Sequence, residues 1–147
     1  MTDTYDLNRF LEAQENVYHD ALREIRNGRK QSHWMWFIFP QILGLGQTET
    51  SRYYAIKSSG EAAAYLSHPV LGSRLREISE ALLSVRNKSA LDIMGTPDDL
   101  KLRSSMTLFG QVSNDNRVFE QVLDCYFNGE KDGRTIQILR EMGDEQL

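Results

Sequence analysis

Residues 6–28, DLNRFLEAQENVYHDALREIRNG, decide the fold class of this 147-residue chain. Asp6 stands where a side-chain oxygen can cap a helix, and Gly28 follows the segment, as glycine commonly does beyond a helix end. Between them, apolar residues recur at spacings of three and four, the period of one helix face: Phe10, Ala13, Val17, Ala21 and Ile25. The pattern predicts one long amphipathic helix.

The next segment, SHWMWFIFPQ at residues 32–41, is rich in aromatic side chains. A short apolar run before a proline is typical of either a buried strand or a buried helical turn. No second run of alternating β-branched residues is available to pair with a strand, which would leave its backbone groups unsatisfied. We therefore interpret the segment as helical, with Ser32 as its cap and Pro40 ending it.

Capping residues mark further helices along the rest of the chain. Thr96 and Pro97 predict a helix start whose first turn holds two carboxylates, Asp98 and Asp99. Other predicted helices begin near Thr48, Ser58, Pro69, Ser89, Asn114 or Asp115, and Thr135. The sequence thus predicts an all-α fold. We expect a compact, non-repeat bundle of about six to eight helices, one domain over residues 1–147 with its core at about 6–142.

The composition limits the classes of function. Apolar residues make up 40% and charged residues 26% of the chain, as in soluble globular proteins. The net charge of −4 gives no global attraction to nucleic acid or to an anionic membrane. The longest apolar run, residues 34–39, is far short of the ~18–20 residues that span a bilayer. We expect a cytoplasmic protein, with its one cysteine, Cys125, buried on a helix face.

No standard catalytic or cofactor signature is present in the sequence. GLGQTET, residues 44–50, lacks the ending of a P-loop, and no strand precedes it, so its glycines are typical of a turn. The histidines, at 19, 33 and 68, are isolated and show no metal-ligand spacing. We therefore expect no metal site and assign no cofactor.

The aromatic segment supports two interpretations. Helical spacing sends Trp34 and Trp36 to different sides, and a helix that is apolar all round is normally buried. Planar rings near Arg29 and Lys30 are also typical of a pocket that stacks a planar group and holds a phosphate. His33 adjoins these rings, where an imidazole can serve as a base or bind phosphate. The two interpretations are compatible if one ring face remains open.

Three hydroxyl side chains lie within four positions of the helix that follows Pro97. Ser104, Ser105 and Thr107 are middling helix formers whose hydroxyls compete for backbone groups. Small side chains that let two helices approach closely are the favoured explanation. The other is a polar pocket lined by the hydroxyls.

Several segments of the chain together resemble a known family. They are GRKQSHWMWFIFPQILGLG, YYAI, AYLSHPVLGSRLRE, DIMGTPDDLKLRSSMTLF and RTIQIL. Over residues 7–139 the chain is similar to a bacterial family, domain of unknown function 1810, whose members are sometimes labelled calpastatin. The resemblance implies a compact all-helical domain and no established reaction. The calpastatin label does not carry over, because calpastatin-type inhibitors are flexible repeated segments and this chain has a core and no repeat.

The resemblance also draws attention to the polar residues of the shared motifs, several of which capping or buried hydrogen bonds can explain. They are Arg29, His33, Gln41, Tyr54, His68, Arg74, Asp99, Lys101, Ser104 and Ser105.

The leading hypothesis is a domain that binds or processes a small ligand carrying a phosphate and a planar group, such as a nucleotide or an ADP-ribose-like compound. Its pocket would form where residues 33–41 meet residues 101–107. Candidate phosphate contacts are Arg29, Lys101 and Arg74; candidate stacking rings are Trp34 and Trp36. His33 and Asp99 are the candidate acid or base, and Gln41, Ser104 and Ser105 complete the ligand-binding candidates.

The alternative is a non-enzymatic helical interaction module. In it the aromatic segment is wholly core, and the basic surface at residues 23–30 binds an acidic protein partner. No motif decides whether the protein catalyses a reaction.

Overall fold

The computed structural model describes residues 5–145, and in them the chain forms ten helices and no β-strand. The all-α class is confirmed, but the number of helices exceeds the predicted six to eight. In chain order the helices are α1 (Asn8–Gln14), α2 (Tyr18–Arg26), α3 (Met35–Ile38), α4 (Glu49–Tyr54), α5 (Ser59–Ser67), α6 (Leu71–Ser84), α7 (Ala90–Met94), α8 (Asp98–Val112), α9 (Arg117–Phe127) and α10 (Gly133–Glu145).

The predicted long first helix is two helices. A turn at residues 15–17 separates α1 from α2, and Asp6 does not cap α1 because it lies outside the helix with a φ of 49°. The turn redirects the chain, so that α1 packs against α3 while α2 packs against α6. The Gln14 side chain fixes this arrangement, since its amide donates to the Phe37 carbonyl at 2.7 Å and to the Tyr65 hydroxyl at 3.0 Å.

Some of the predicted helix starts are confirmed and others are moved. The side chains of Thr48, Ser58 and Ser89 each cap the helix that follows. Thr96 does not cap α8, whose N-cap residue is Pro97 without a side-chain hydrogen bond. Helix α6 starts later than Pro69, and its first amides are held by the imidazole of His68.

Residues 34–43 combine one short helix with one backbone bridge. Helix α3 has four residues, and Ser32 does not cap it. Beyond Pro40 the chain extends, and Ile42 forms an isolated parallel bridge with Ile56. In this bridge the Ile56 N–H donates to the Gln41 carbonyl, and the Leu43 N–H donates to the Ile56 carbonyl, both at 2.8 Å.

The helices of the described residues pack around one hydrophobic core. Helix α8 lies centrally and contacts α5, α7, α9 and α10. The largest fully buried side chains are Trp34, Tyr65, Phe10, Phe39, Phe109 and Phe119. The prediction for Cys125 was wrong: its side chain is exposed, because α9 turns its other face, with Val118, Phe119, Val122 and Leu123, to the core. None of the described helices is long and apolar enough to cross a membrane.

Candidate functional site

The segment that follows α2 is bound to α7 and to the start of α8 through Lys30. The Lys30 backbone N–H donates to the Ile93 carbonyl at 2.7 Å. The Lys30 ammonium lies 3.0 Å from the Asp98 carboxylate and over the Trp34 ring, 4.9 Å from its centroid. With the Lys30 side chain only 7% exposed, this pair is shielded from solvent and fixes residues 30–34 against α8.

A buried carboxylate holds the same segment from the other side. Glu24 of α2 accepts hydrogen bonds from the Gln31 and Ser32 backbone N–H groups, the Ser32 hydroxyl and the Trp34 indole N–H, at 2.6–3.0 Å. Burial alone would raise the pKa of this carboxyl, but the four hydrogen bonds outweigh burial and lower the pKa from 4.5 to about 2. Glu24 is therefore an ionised anchor for residues 31–34.

Trp36 is the aromatic side chain of the segment that stays partly open, at the edge of α8. The Lys101 ammonium lies 5.7 Å from the Trp36 ring centroid, within the range of a cation–π contact. Lys101 also forms an ion pair with Asp98 at 3.7 Å. We call Lys30, Trp36, Asp98 and Lys101 the Trp36–Lys101 cluster. Because Asp98 already has a closer partner in Lys30, the charge of Lys101 is only loosely balanced.

A narrow cleft adjoins the cluster at Trp36. Four residues with polar side-chain groups, Trp36, Gln41, Ser51 and Tyr54, line it together with the loop around Gly44. Burial raises the pKa of the Tyr54 hydroxyl, which therefore stays protonated and can donate a hydrogen bond. The enclosed space is about 10 Å³, room for one water molecule. A planar ring cannot enter the cleft as it stands, whereas a single polar group at the edge of a ring can.

The structure brings part of the predicted residue set together. Lys101 and Trp36 are in contact, and Gln41 lines the cleft beside Trp36. Arg29 and His33 are exposed on the segment that carries Trp36. Trp34 is fully buried in the core, so that among the two predicted stacking rings only Trp36 offers a surface to a ligand.

Ser104, Ser105 and Thr107 serve the packing of α8. The Ser104 hydroxyl donates to the Asp132 carboxylate at 3.1 Å, and Thr107 accepts the Asp132 backbone N–H at 2.9 Å. The Asp132 carboxylate also accepts from Thr135 at the start of α10. Ser105 is fully buried, and its hydroxyl has no hydrogen-bond partner in the described part of the chain. The close-packing interpretation fits these contacts.

Arg74 makes its contacts away from the Trp36–Lys101 cluster, and Asp99 faces another side of α8 than Lys101. Arg74 of α6 donates to Gln14 at 3.3 Å and lies over the Tyr18 ring. Asp99 is two residues before Lys101 on α8, which places the two side chains about 200° apart around the helix. One Asp99 carboxylate oxygen is buried without a hydrogen-bond partner among residues 5–145.

Glu24, Lys30 and Asp98 are important to the site but were not among the predicted site residues. From the sequence, Lys30 is expected near the aromatic rings but is not a site candidate, and Asp98 is assigned to the first turn of a helix, although Asp98 sits one turn before Lys101. Glu24 could have been noticed because it lies three residues after Ala21, on the inner side of α2. In the described part of the chain, no three His, Cys, Asp or Glu side chains are placed to share a metal ion.

Comparison with known proteins identifies the family. Residues 4–139 match the family described as "Protein of unknown function (DUF1810)". The chain belongs to this family. The resemblance found in the sequence motifs is thereby confirmed, and the DUF1810 match covers all the residues of the Trp36–Lys101 cluster and its cleft.

A solved structure has the same architecture as this DUF1810 chain. The conserved hypothetical protein Rv1873 from Mycobacterium tuberculosis is 46% identical in sequence, with a TM-score of 0.93. The similarity covers 94% of this chain and 99% of that one. No curated protein matches the chain significantly.

Proposed function

We propose that the protein binds a small ligand, carrying a phosphate and a planar group, at the Trp36–Lys101 cluster. The observation that supports this most is the contact between the loosely balanced Lys101 ammonium and the partly open Trp36 ring. A cation and an aromatic face side by side match the two chemically different parts of a nucleotide or an ADP-ribose-like compound.

The phosphate would be held by Lys101, with Arg29 as a second contact. Lys101 gives a compact positive charge on a flexible stem, and within residues 5–145 its one ion pair is a 3.7 Å contact with Asp98. Arg29 is exposed next to Lys30 and can turn toward the same ligand. Lys30 itself is already committed to Asp98 at 3.0 Å, so its charge is less available to a ligand.

The planar group would stack on the open face of Trp36. The ring is supported from behind by its own segment, which Glu24 and Lys30 fasten at several points. A fixed ring loses little conformational entropy when a ligand stacks on it, and stacking on one aromatic side chain is worth about 1–3 kcal/mol. The ligand's ring would thus lie outside the cleft and direct one edge into it.

His33 is the candidate acid or base if the bound ligand is also processed. Its side chain is exposed between the anchored Ser32 and Trp34, so it can approach a ligand on Trp36. Asp99 faces another side of α8 and is less well placed for this role.

The alternative docking surface at residues 23–30 has fewer available charges than its sequence indicates. Lys30 pairs with Asp98, and its side chain is largely buried. Arg23 pairs with Asp20 at 2.9 Å but stays exposed, as do Arg26 and Arg29. The small-ligand proposal is preferred because the contact of Lys101 with Trp36 supports it.

Thermal unfolding with a panel of nucleotides, ADP-ribose, nicotinamide compounds and sugar phosphates tests the proposal. A ligand at 100 times its dissociation constant adds about 2.7 kcal/mol, and should raise the unfolding midpoint of a domain this size by several degrees. We expect Lys101→Gln and Trp36→Leu each to reduce the rise. A panel that leaves the midpoint unchanged contradicts the proposal.

Arg117→Gln is the matched control for Arg29→Gln. Both arginines are exposed, but Arg117 is at the start of α9, away from the cluster. A ligand-induced rise that Arg29→Gln reduces and Arg117→Gln leaves intact supports local phosphate binding. Equal reduction by both variants indicates unspecific attraction to positive charge and contradicts the proposed site.

A further inference from the structure

Three polar side-chain groups around the cleft have no hydrogen-bond partner in the described part of the chain. They are the indole N–H of Trp36, the carboxamide of Gln41 and the hydroxyl of Tyr54. The buried Gln14 carboxamide, by contrast, is paired with the Phe37 carbonyl and the Tyr65 hydroxyl. Because these unpaired groups belong to residues that line one water-sized space, they are available to a polar group that enters it.

The backbone that carries Gln41 is fixed. Its carbonyl accepts the Ile56 N–H at 2.8 Å, and the Leu43 N–H two residues later donates back to Ile56 at 2.8 Å. Pro40, which precedes it, is buried. Because these contacts hold the main chain on both sides, binding orders only the Gln41 side chain.

The chemistry of the carboxamide limits what it can recognise. Gln41 presents one hydrogen-bond acceptor and one donor side by side, so its complement is an edge with a neighbouring donor and acceptor. Such an edge occurs on adenine and on the carboxamide of nicotinamide. A glutamine pairs with adenine in this way in protein–nucleic acid complexes.

The size of the cleft also limits which part of the ligand can enter it. Its enclosed space of about 10 Å³ admits one amino or carbonyl group and excludes a ring. A ring that lies on Trp36 would therefore insert only its polar edge between Gln41 and Tyr54. The phosphate would remain outside, near Lys101.

We propose that Gln41, with Tyr54, is the specificity-determining group of the site and selects ligands whose planar ring carries an amide-type donor–acceptor edge. This inference rests on the proposed function, because it assigns the recognised part of the same ligand. It separates the roles of the two ends of the site: Lys101 contributes affinity for every phosphate compound, whereas Gln41 distinguishes one ring from another.

Two matched pairs of monophosphates test the inference by isothermal titration calorimetry. Adenosine 5′-monophosphate is compared with purine riboside 5′-monophosphate, which lacks the amino group. Nicotinamide mononucleotide is compared with nicotinic acid mononucleotide, in which a carboxylate replaces the carboxamide. We expect the wild-type protein to prefer the amide-edged member of at least one pair about tenfold or more. The pair that shows the preference identifies adenine or nicotinamide as the ring.

Variants of Gln41 and Lys101 show which residue causes the preference for the amide-edged ligand. Gln41→Leu should remove the preference while changing the affinity for the member without the edge by less than about threefold. Gln41→Glu, which keeps an acceptor and loses the donor, is the second variant if Gln41→Leu does not fold. Lys101→Gln should weaken both members of a pair by a similar factor and leave their ratio unchanged.

The outcomes separate the inference from the proposed function. Equal affinity within both pairs, or a preference that survives in both Gln41 variants, overturns the role of Gln41 while the phosphate site stands. Absence of binding for all four compounds overturns both the inference and the proposed function.

Discussion

The Glu24 carboxylate accepts the indole N–H of Trp34 at 3.0 Å inside the protein, ten residues away along the chain. The same carboxylate holds the backbone of the two residues at 31–32. Trp34 thereby anchors the aromatic segment in the core, and Trp36, two residues later, lies at its edge. We therefore expect Trp34 to contribute more to the free energy of unfolding than Trp36, and Trp36 to be more accessible to solvent.

Replacing the two tryptophans in turn measures this difference. Trp34→Ala removes a fully buried ring and should lower the free energy of unfolding by about 3–5 kcal/mol through the cavity it leaves. Trp36→Ala removes a half-buried ring and should cost about 1 kcal/mol. Urea denaturation followed by circular dichroism gives both values. Equal costs would show that Trp36 is as much a part of the core as Trp34.

The lowered pKa of Glu24 predicts how stability depends on pH. Its pKa is about 2 in the folded protein and 4.5 as a reference value, so the folded state favours the ionised carboxylate. Its contribution is fully present above pH 4.5 and is lost as the pH falls through about 2.

Glu24→Gln should therefore lower stability most at neutral pH, and the difference from wild type should shrink on acidification. Urea denaturation at a series of pH values measures this difference. Asp20→Asn is the control, because the Asp20 carboxylate is exposed and its contact is with Arg23 on the same helix. If the difference in unfolding free energy between wild type and Glu24→Gln stays constant from neutral to acidic pH, the ionised carboxylate does not have this role.

Because Arg9 and Glu61 form a buried ion pair, we expect the effects of replacing them on the free energy of unfolding to be strongly coupled. Arg9 donates to both Glu61 oxygens, at 3.1 and 3.2 Å, and to the carbonyls of Tyr53 and Ala55. Removing one partner leaves the other charge buried, so Arg9→Met and Glu61→Met should each cost about 3–5 kcal/mol. The double variant should cost clearly less than the sum, and a thermodynamic cycle of unfolding free energies measures the coupling. Additive costs would argue against a direct interaction.

His68 acts as a helix cap in this structure. Its Nδ1 accepts the backbone N–H groups of Val70 at 3.1 Å and Leu71 at 3.2 Å. His68→Ala should cost about 1 kcal/mol of stability, whereas His68→Asn should keep most of the cap. Hydrogen exchange of the first amides of α6 locates the effect. If these amides are equally protected from exchange in His68→Ala and in His68→Asn, the side chain at position 68 is not the cap.

The sequence predicts those features of the fold that depend on residues close together in the chain, and it misses those that depend on distant residues. Local signals predicted the caps at Ser58 and Ser89 and the all-α class, because a cap depends on residues three apart. The break at residues 15–17 was missed, since apolar periodicity continues across it and the turn is set by long-range contacts such as Gln14 with Tyr65.

The candidate site shows the same limit. The aromatic segment and Lys101 were recognised from the sequence, and the structure places Lys101 over Trp36. Which tryptophan is open could not be predicted, because it depends on the Glu24 carboxylate reaching a ring ten residues away. Arg74 was grouped with these residues by charge alone, and its contacts lie with Gln14 and Tyr18.

The central claim, a phosphate ligand stacked on Trp36 beside Lys101, is tested most directly by tryptophan fluorescence during titration with ADP-ribose. We predict a saturable change in wild type that is absent in Trp36→Phe, where only the buried Trp34 remains, and a dissociation constant at least about tenfold weaker in Lys101→Gln. No saturable change up to about 1 mM ligand, or an unchanged dissociation constant in Lys101→Gln, would contradict the claim.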